Sequence, residues 1–284
     1  MTIYSLFSGS RGNCTYVRAG ETRILIDAGM SCRAIERALA EIGDSLAAVS
    51  AIFITHEHSD HVKALPVLLK KHPVPVHITE QTAEECRLAG IPTDCFCVHP
   101  PIFHVKVAAR QSAREDSVID VASFPTPHDS RMSVGYRLSC MTEDGIRTAA
   151  LATDIGHVTE ELRAALTGTE SVILESNHDE NMLMMGSYPY ELKRRILSER
   201  GHLSNSACGE FLCELVGGGT KHILLAHLSP ENNTPDLAYL TALAALKRNG
   251  YVQDEDFSLA VAKRDAPVCL IRDTAREEAS SACC

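Results

Sequence analysis

Residues 55–61 read THEHSDH and follow directly on the apolar run AIFI. They put His56, His58, Asp60 and His61 within six residues. Imidazoles at i and i+2 of an extended turn can point the same way, while the Asp and His that follow swing to an adjacent position. Donors this crowded suit two neighbouring divalent ions, each needing further ligands from elsewhere in the chain. A solvated loop rich in histidine is the bland alternative, and four donors in so short a stretch at a strand end speak against it. Further donors are expected at other strand ends, whose loops converge on one rim. His128 in FPTPHDS, Asp154 in LATDIGH and His227 in LLAHLSP each follow an apolar or strand-like run. The two oxygens of Asp154 suit it to bridge two cations. Taken singly, each of the three reads equally well as a structural histidine or a capping aspartate; joined to the first cluster, they complete a dinuclear set.

A second stretch, VILESNHDENML, runs an apolar strand into Glu175, His178, Asp179 and Glu180. Burying a strand that ends on acids is costly unless the acids have partners. The basic helix that follows carries Lys193, Arg194, Arg195 and Arg200, and reads either as a solvated face or as a track along a phosphate backbone. The glycine-rich SGSRGN offers Ser8, Ser10, Arg11 and Asn13, whose turn could cradle a phosphate or be a plain turn. Ser204 and Asn205 open a helix, where amides favour an anion. Met182, Met184 and Met185 are expected to fill core rather than wedge against a base pair.

The positioning elements alternate along the chain. TYVRAG and TRILIDAG predict a hairpin around Gly20, CRAIERALAEIG a helix stopped at Gly43, and VSAIFIT and PVPVHIT short strands. PVLLKKH and TAEECRLAG read as helices, the latter with Thr82 as a cap and Gly90 at its end. SVIDVASFPT, SVGYRLSC and RTAALATD suggest antiparallel strands. TEELRAALTG then reads as a helix and SVILES as a strand. YPYELKRRILSERG is expected to be helical from Pro189 to Gly201, and SNSACGEFLCELVGGG forms another helix before the strand KHILLAHLS. TPDLAYLTALAALKRNG predicts a last helix with Thr234 as N-cap, Pro235 at N1 and Gly250 at its end. Strands in both halves with helices between them imply two packed sheets covered by helices.

The chain has 284 residues, 45% of them apolar, and a net charge of −10, which argues against coating nucleic acid by bulk electrostatics but not against a local basic track. With no run of eighteen apolar residues and no basic-then-apolar leader, neither a membrane span nor a signal peptide is expected. Eleven scattered cysteines are then expected to be reduced thiols in the cytoplasm. One folded domain over residues 1–272 and a short disordered tail over 273–284 is the simplest organisation.

THEHSDH, with His128, Asp154 and His227 in order and LIDAG ahead of it, resembles the metal motifs of the metallo-β-lactamase superfamily. The resemblance covers roughly residues 3 to 270 and implies an αββα sandwich of two mixed sheets covered by helices, with a dinuclear site at one edge. Carried over, it gives His56, His58 and His128 to one ion, Asp60, His61 and His227 to the other, and Asp154 to both. SGSRGN, PHDSRMSVGYRL, TDIGHV, ESNHDENML, YPYELKRRILSERGHLSN and LAHLSPENNTP resemble the bacterial YycJ-like (WalJ) branch. That branch implies 5′→3′ exonuclease action on DNA, at a duplex end or nick and alongside repair proteins, with manganese favoured and zinc or iron also suited to the donors.

In that resemblance His202 matches the "HST" histidine of related RNA-processing members, a candidate proton donor to the leaving oxygen. Glu175 matches the acid that orients it, and Asp60 belongs to the reacting centre as well as to the ligands. His178 falls at the site with its task open: substrate contact, ligand or loop packing. An RNA-processing nuclease, a thioester or lactone hydrolase, and a non-enzymatic regulator of the same fold are the competing readings.

Overall fold

The chain is described by a computed structural model over residues 1–109 and 117–273. The tail expected to be disordered lies, from residue 274 onward, outside the described residues. One sheet is built from β1 (Thr2–Phe7), β2 (Cys14–Ala19), β3 (Thr22–Ile26), β4 (Ala51–Phe53), β5 (Val76–Thr79), β6 (Phe96–His99) and, at its other edge beside β1, β14 (Val268–Ile271). The second runs β13 (Ser258–Val261), β12 (His222–Ala226), β11 (Ser171–Glu175), β10 (Gly145–Ala152), β9 (Ser133–Thr142), β8 (Val118–Thr126) and β7 (His104–Ala108). Each sheet is half antiparallel and half parallel. The β2–β3 hairpin turns on Gly20, whose φ of 55° is one that glycine adopts freely. From β3 to β6, and from β10 to β13, the strands are parallel, so each connection must cross over the sheet.

The crossovers in the first sheet carry α1 (Cys32–Glu41), α2 (Ser59–Val62), α3 (Leu65–Lys71) and α4 (Glu80–Leu88). Those in the second carry α5 (Glu160–Leu166), α6 (Glu180–Met185), α7 (Tyr190–Ile196), α8 (Asn205–Gly217) and α9 (Pro235–Arg248). Three apolar layers result. Ile3, Val17, Phe53, Tyr136, Leu151 and Leu224 fill the space between the sheets. Leu25, Ile35, Leu39 and Leu68 lie under the helices of one outer face, and Leu174, Phe211, Leu215 and Leu246 under those of the other. The αββα layering is as expected, and among the described residues no helix is long and apolar enough to cross a membrane.

Local expectations fail in three places. Thr79, not Thr82, stands at the N-cap of α4; Thr82 is buried one turn in and donates to the Met132 carbonyl. The basic helix ends at Ile196 rather than running to Gly201, because the Ile196 carbonyl accepts from the His202 amide and the chain folds back. Met184 and Met185 are exposed, and only Leu183 of that short helix enters the core.

Candidate metal centre

Ends of the parallel strands gather at one rim, where open α/β sheets commonly hold their ligands. Asp27 follows β3, the 55–61 loop follows β4, Asp154 follows β10 and His227 follows β12. Asp27, Asp154 and His227 all adopt left-handed backbone conformations, with φ of 62°, 58° and 57°. Such conformations are uncommon without glycine and cost of order 1 kcal/mol or more each, so the surrounding structure must hold them.

The structure brings all seven predicted donors together. One atom each from His56, His58 and His128 lies within 4.8 Å of the others, as do atoms of Asp60, His61 and His227, and those of His56, His61 and Asp154. Three of the imidazoles have Nδ1 committed to an acceptor outside the predicted donor set. His61 Nδ1 donates to Asp27 at 2.8 Å, His227 Nδ1 to Glu175 at 2.8 Å, and His128 Nδ1 to the Gly201 carbonyl at 3.3 Å. Their Nε2 atoms then converge on Asp154, at 3.3, 3.5 and 3.8 Å for His61, His227 and His128. This is how metal-ligating histidines are held, with the second nitrogen fixing tautomer and ring. Asp154 Oδ2 and His227 Nε2 are buried with no hydrogen-bond partner. Buried ligand atoms left without a partner inside such a cluster fit divalent cations, and the His/Asp cluster is compatible with metal binding.

Charge points the same way. Burial would raise the Asp154 carboxyl, but His227 and His61 hold it well below the usual carboxylate range. Burial would lower His61, yet Asp27 and Asp154 outweigh it and bring the imidazole up to about 10. His227 is likewise raised by Asp154, Asp60 and Glu175 against its burial. His56 and His128 are lowered, chiefly by burial. In the absence of cations, protons on His61 and His227 balance the carboxylates.

Glu175 is fully buried and engaged on every side. Its Oε1 accepts from His202 Nδ1 and His227 Nδ1, each at 2.8 Å, and its Oε2 from the amides of Ile155 at 2.8 Å and Leu203 at 3.1 Å. His202 sits on the rim with its ring 5.3 Å from those of both His128 and His227. The Glu175–His202 contact was expected; the tie from Glu175 to His227 was not. Asp27 was not singled out individually either, and LIDAG, an acid and a glycine directly after an apolar strand, was its signal.

Other candidates turn out to serve the scaffold. Ser8 Oγ accepts from the His227 amide, and Asn13 Nδ2 reaches Asp60 and lies 3.0 Å from His61 Nε2, so both are buried behind the donors while Ser10 and Arg11 are exposed. Asn205 is buried in a reciprocal amide pair with Asn233, and Ser204 Oγ accepts from the Ala207 amide and donates to Glu180. Lys193 donates to the Met184 and Gly186 carbonyls, and Arg200 to the His128 and Ser130 carbonyls, which ties the His128 loop down. Arg195 pairs with Asp129 beside His128, and Arg194 stands open over Tyr190 with Glu191 3.6 Å away. The basic track therefore shrinks to Arg194 and part of Arg195. His178 stays outside the donor cluster; it is 1% exposed, with neither ring nitrogen hydrogen-bonded.

Close approach also constrains the 55–61 loop. A Cβ on Gly29 would lie 1.6 Å from the Asp60 carbonyl oxygen and 2.6 Å from the Asn13 amide. Gly29→Ala must therefore push Asp60 and His61 aside. The expected result is a loss of about 1–3 kcal/mol of stability together with weaker metal uptake, read by thermal melting and metal analysis; an unchanged variant on both counts would show the loop to be pliable.

Residues 22–228 match the Beta-lactamase superfamily domain. The chain is 38% identical over 256 residues to Exodeoxyribonuclease YycJ of Bacillus anthracis, spanning 89% of this chain and 92% of that one. To Exodeoxyribonuclease WalJ of Streptococcus pneumoniae it is 35% identical over 257 residues, spanning 89% and 91%. The metallo-β-lactamase fold protein YhfI of Bacillus subtilis superposes with a TM-score of 0.64 at 14% identity, over 94% of this chain and 99% of that one, a likeness of fold alone. The chain belongs to the metallo-β-lactamase superfamily and, within it, to the YycJ/WalJ branch. With those relatives, it is a nuclease of the metallo-β-lactamase fold.

Proposed function

We propose that the protein is a dinuclear-metal phosphodiesterase that degrades duplex DNA from a 5′ end or nick, releasing 5′-phosphorylated nucleotides. The observation that carries this reading is the Glu175–His202 pair standing on the rim of the donor cluster, with His202 Nδ1 at 2.8 Å from Glu175 and 3.9 Å from Asp154. Names of the curated relatives support DNA as the substrate. In this reading His56, His58 and His128 would hold one ion and Asp60, His61 and His227 the other, with Asp154 available to both; manganese is favoured, and zinc or iron would suit the same donors. Two such ions would supply Lewis acidity to a phosphodiester. Glu175 keeps Nδ1 of His202 occupied, so its Nε2 is the atom that gives a proton to the departing 3′ oxygen. Arg194 and Arg195 offer the exposed cations for the backbone beyond. Residues 1–272 form the working domain, which β14 closes at Ile271 beside β1. A cytoplasmic setting is supported by nine described cysteines, all free; repair proteins are the partners this activity would serve.

The test is purified protein with manganese on end-labelled duplex DNA bearing a 5′ or 3′ phosphate, beside RNA and a thioester. Mononucleotides released from the 5′ end are expected. Rapid thioester turnover without DNA cleavage would overturn the proposal, and preference for RNA would reassign the substrate.

Metal loading should itself displace protons. His61 and His227 are held protonated at neutral pH by their carboxylate neighbours, and a ligand imidazole must be neutral. Metal uptake is therefore expected to release about one to two protons at pH 7 and to weaken as pH falls. Calorimetry in buffers of different ionisation enthalpy measures this; uptake with no proton release would contradict the ligand roles of His61 and His227.

A further inference from the structure

His202 also lines a cavity of about 340 Å³ that the reaction as described does not use. Its size is at the small end of ligand pockets, which run from about 300 to 1,000 Å³, and suits one small molecule rather than an oligomer. Val158, Leu197 and Phe211 give it an apolar wall. His178 and His202 line the cavity together. His178 is the unusual member: it is buried to 99%, and neither nitrogen has a hydrogen-bond partner. A phenyl ring would fill the same space without stranding two polar atoms, so the imidazole is a poor choice for packing alone.

The lining charges narrow the occupant. Glu180, Glu210 and Glu214 all border the cavity, and its one arginine, Arg163, is paired with Glu214. Such a wall repels a phosphate. It suits an uncharged group with an aromatic face for the apolar side and N–H donors for the carboxylates: adenine, cytosine and guanine offer amino groups, and thymine its ring N–H. If His202 protonates the departing 3′ oxygen, the nucleoside carrying that oxygen must lie on the His202 side, where this cavity is.

We propose that this cavity receives the base and sugar of the 5′-terminal nucleotide being released, and that His178 is a specificity-determining residue that hydrogen-bonds to it. The inference rests on the exonuclease reading for its place in the reaction, but nucleoside binding can be measured without cleavage. His178 lines the cavity, and the χ2 torsion of histidine is a broad well, which lets the ring turn to aim a nitrogen at an occupant. A site for a single terminal nucleoside also accounts for release of one nucleotide at a time.

NMR titration of the metal-loaded protein with 2′-deoxyadenosine, and separately with inorganic phosphate, tests the assignment. Deoxyadenosine should shift the His178 ring nitrogens, and phosphate should leave them unmoved. His178→Phe should fold at least as stably and weaken the nucleoside by about tenfold, and Ala207→Trp, which fills the cavity from α8, should abolish binding. On DNA, His178→Phe should raise KM more than it lowers kcat. Nucleoside affinity that is absent in the unaltered protein, or unchanged in both variants, would overturn the proposal. Nucleoside binding in a protein that leaves DNA intact would keep the pocket and sink the exonuclease reading instead.

Discussion

Replacing His202 by alanine is expected to cut turnover by about 10²–10⁴ while the two ions of the proposed centre remain bound. The expectation follows from where the two ring nitrogens stand. Nδ1 is spent on the Glu175 carboxylate at 2.8 Å, and Glu175 has no free oxygen, since its other one accepts two backbone amides. His202 also lies close enough to Asp154, Glu175 and His227 to form a fourth donor group with them. The atom it would offer there is the Nδ1 that already donates to a carboxylate, which favours a proton-donor role over ligation. Metal analysis separates the two. A variant that keeps two ions and loses turnover supports the donor; one that drops to a single ion makes His202 a ligand, and full turnover removes it from the chemistry.

The donor cluster was legible because four of its members stand in one heptapeptide, while His128, Asp154 and His227 were legible only jointly with it and through the family's motifs. The αββα layering was legible too, and follows from the alternation of short apolar strands with amphipathic helices. Groups that hold the donors in place were less visible. Asp27 reaches His61 from the end of a different strand, and Glu175 reaches His227 from the neighbouring one; a sequence lists such partners far apart. Polar residues also read outward by default, whereas Ser8, Asn13 and Asn205 point in because backbone amides and buried side chains at the strand ends need them. Lys193 and Arg200 misled for a related reason. Lys193 is spent on carbonyls at the end of α6 and Arg200 on those of the His128 loop, so charge that looked free for DNA is used internally. Net charge was no guide to a rim where histidines and carboxylates offset one another.

Glu175→Gln is the second substitution with a large expected effect, and its isosteric look is deceptive. Four N–H groups point at the two carboxylate oxygens. An amide has one acceptor oxygen, so either orientation sets its NH₂ against two donors. Each stranded buried donor costs about 1–3 kcal/mol, and the loosened His227 should weaken metal affinity by about 10–100-fold. The pH profile adds a readout that mere destabilisation would not move. As the proposed proton donor, His202 would have to be protonated to act, so activity is expected to fall as pH rises through its pKa. Burial lowers that pKa, and Glu175 and Asp154 outweigh it to place His202 above the ordinary histidine value. Without the Glu175 charge, burial has less to oppose it, the pKa drops, and the alkaline limb of kcat moves to lower pH. Glu175 itself is brought down to about 2 by His202 and His227 against its burial. The carboxylate therefore stays charged across the working range, and its contribution to stability, complete above the unfolded value of about 4.3, fades only as pH falls towards 2. A kcat profile for E175Q with its alkaline limb in place, at matched metal occupancy, would mean that Glu175 does not set the protonation of His202.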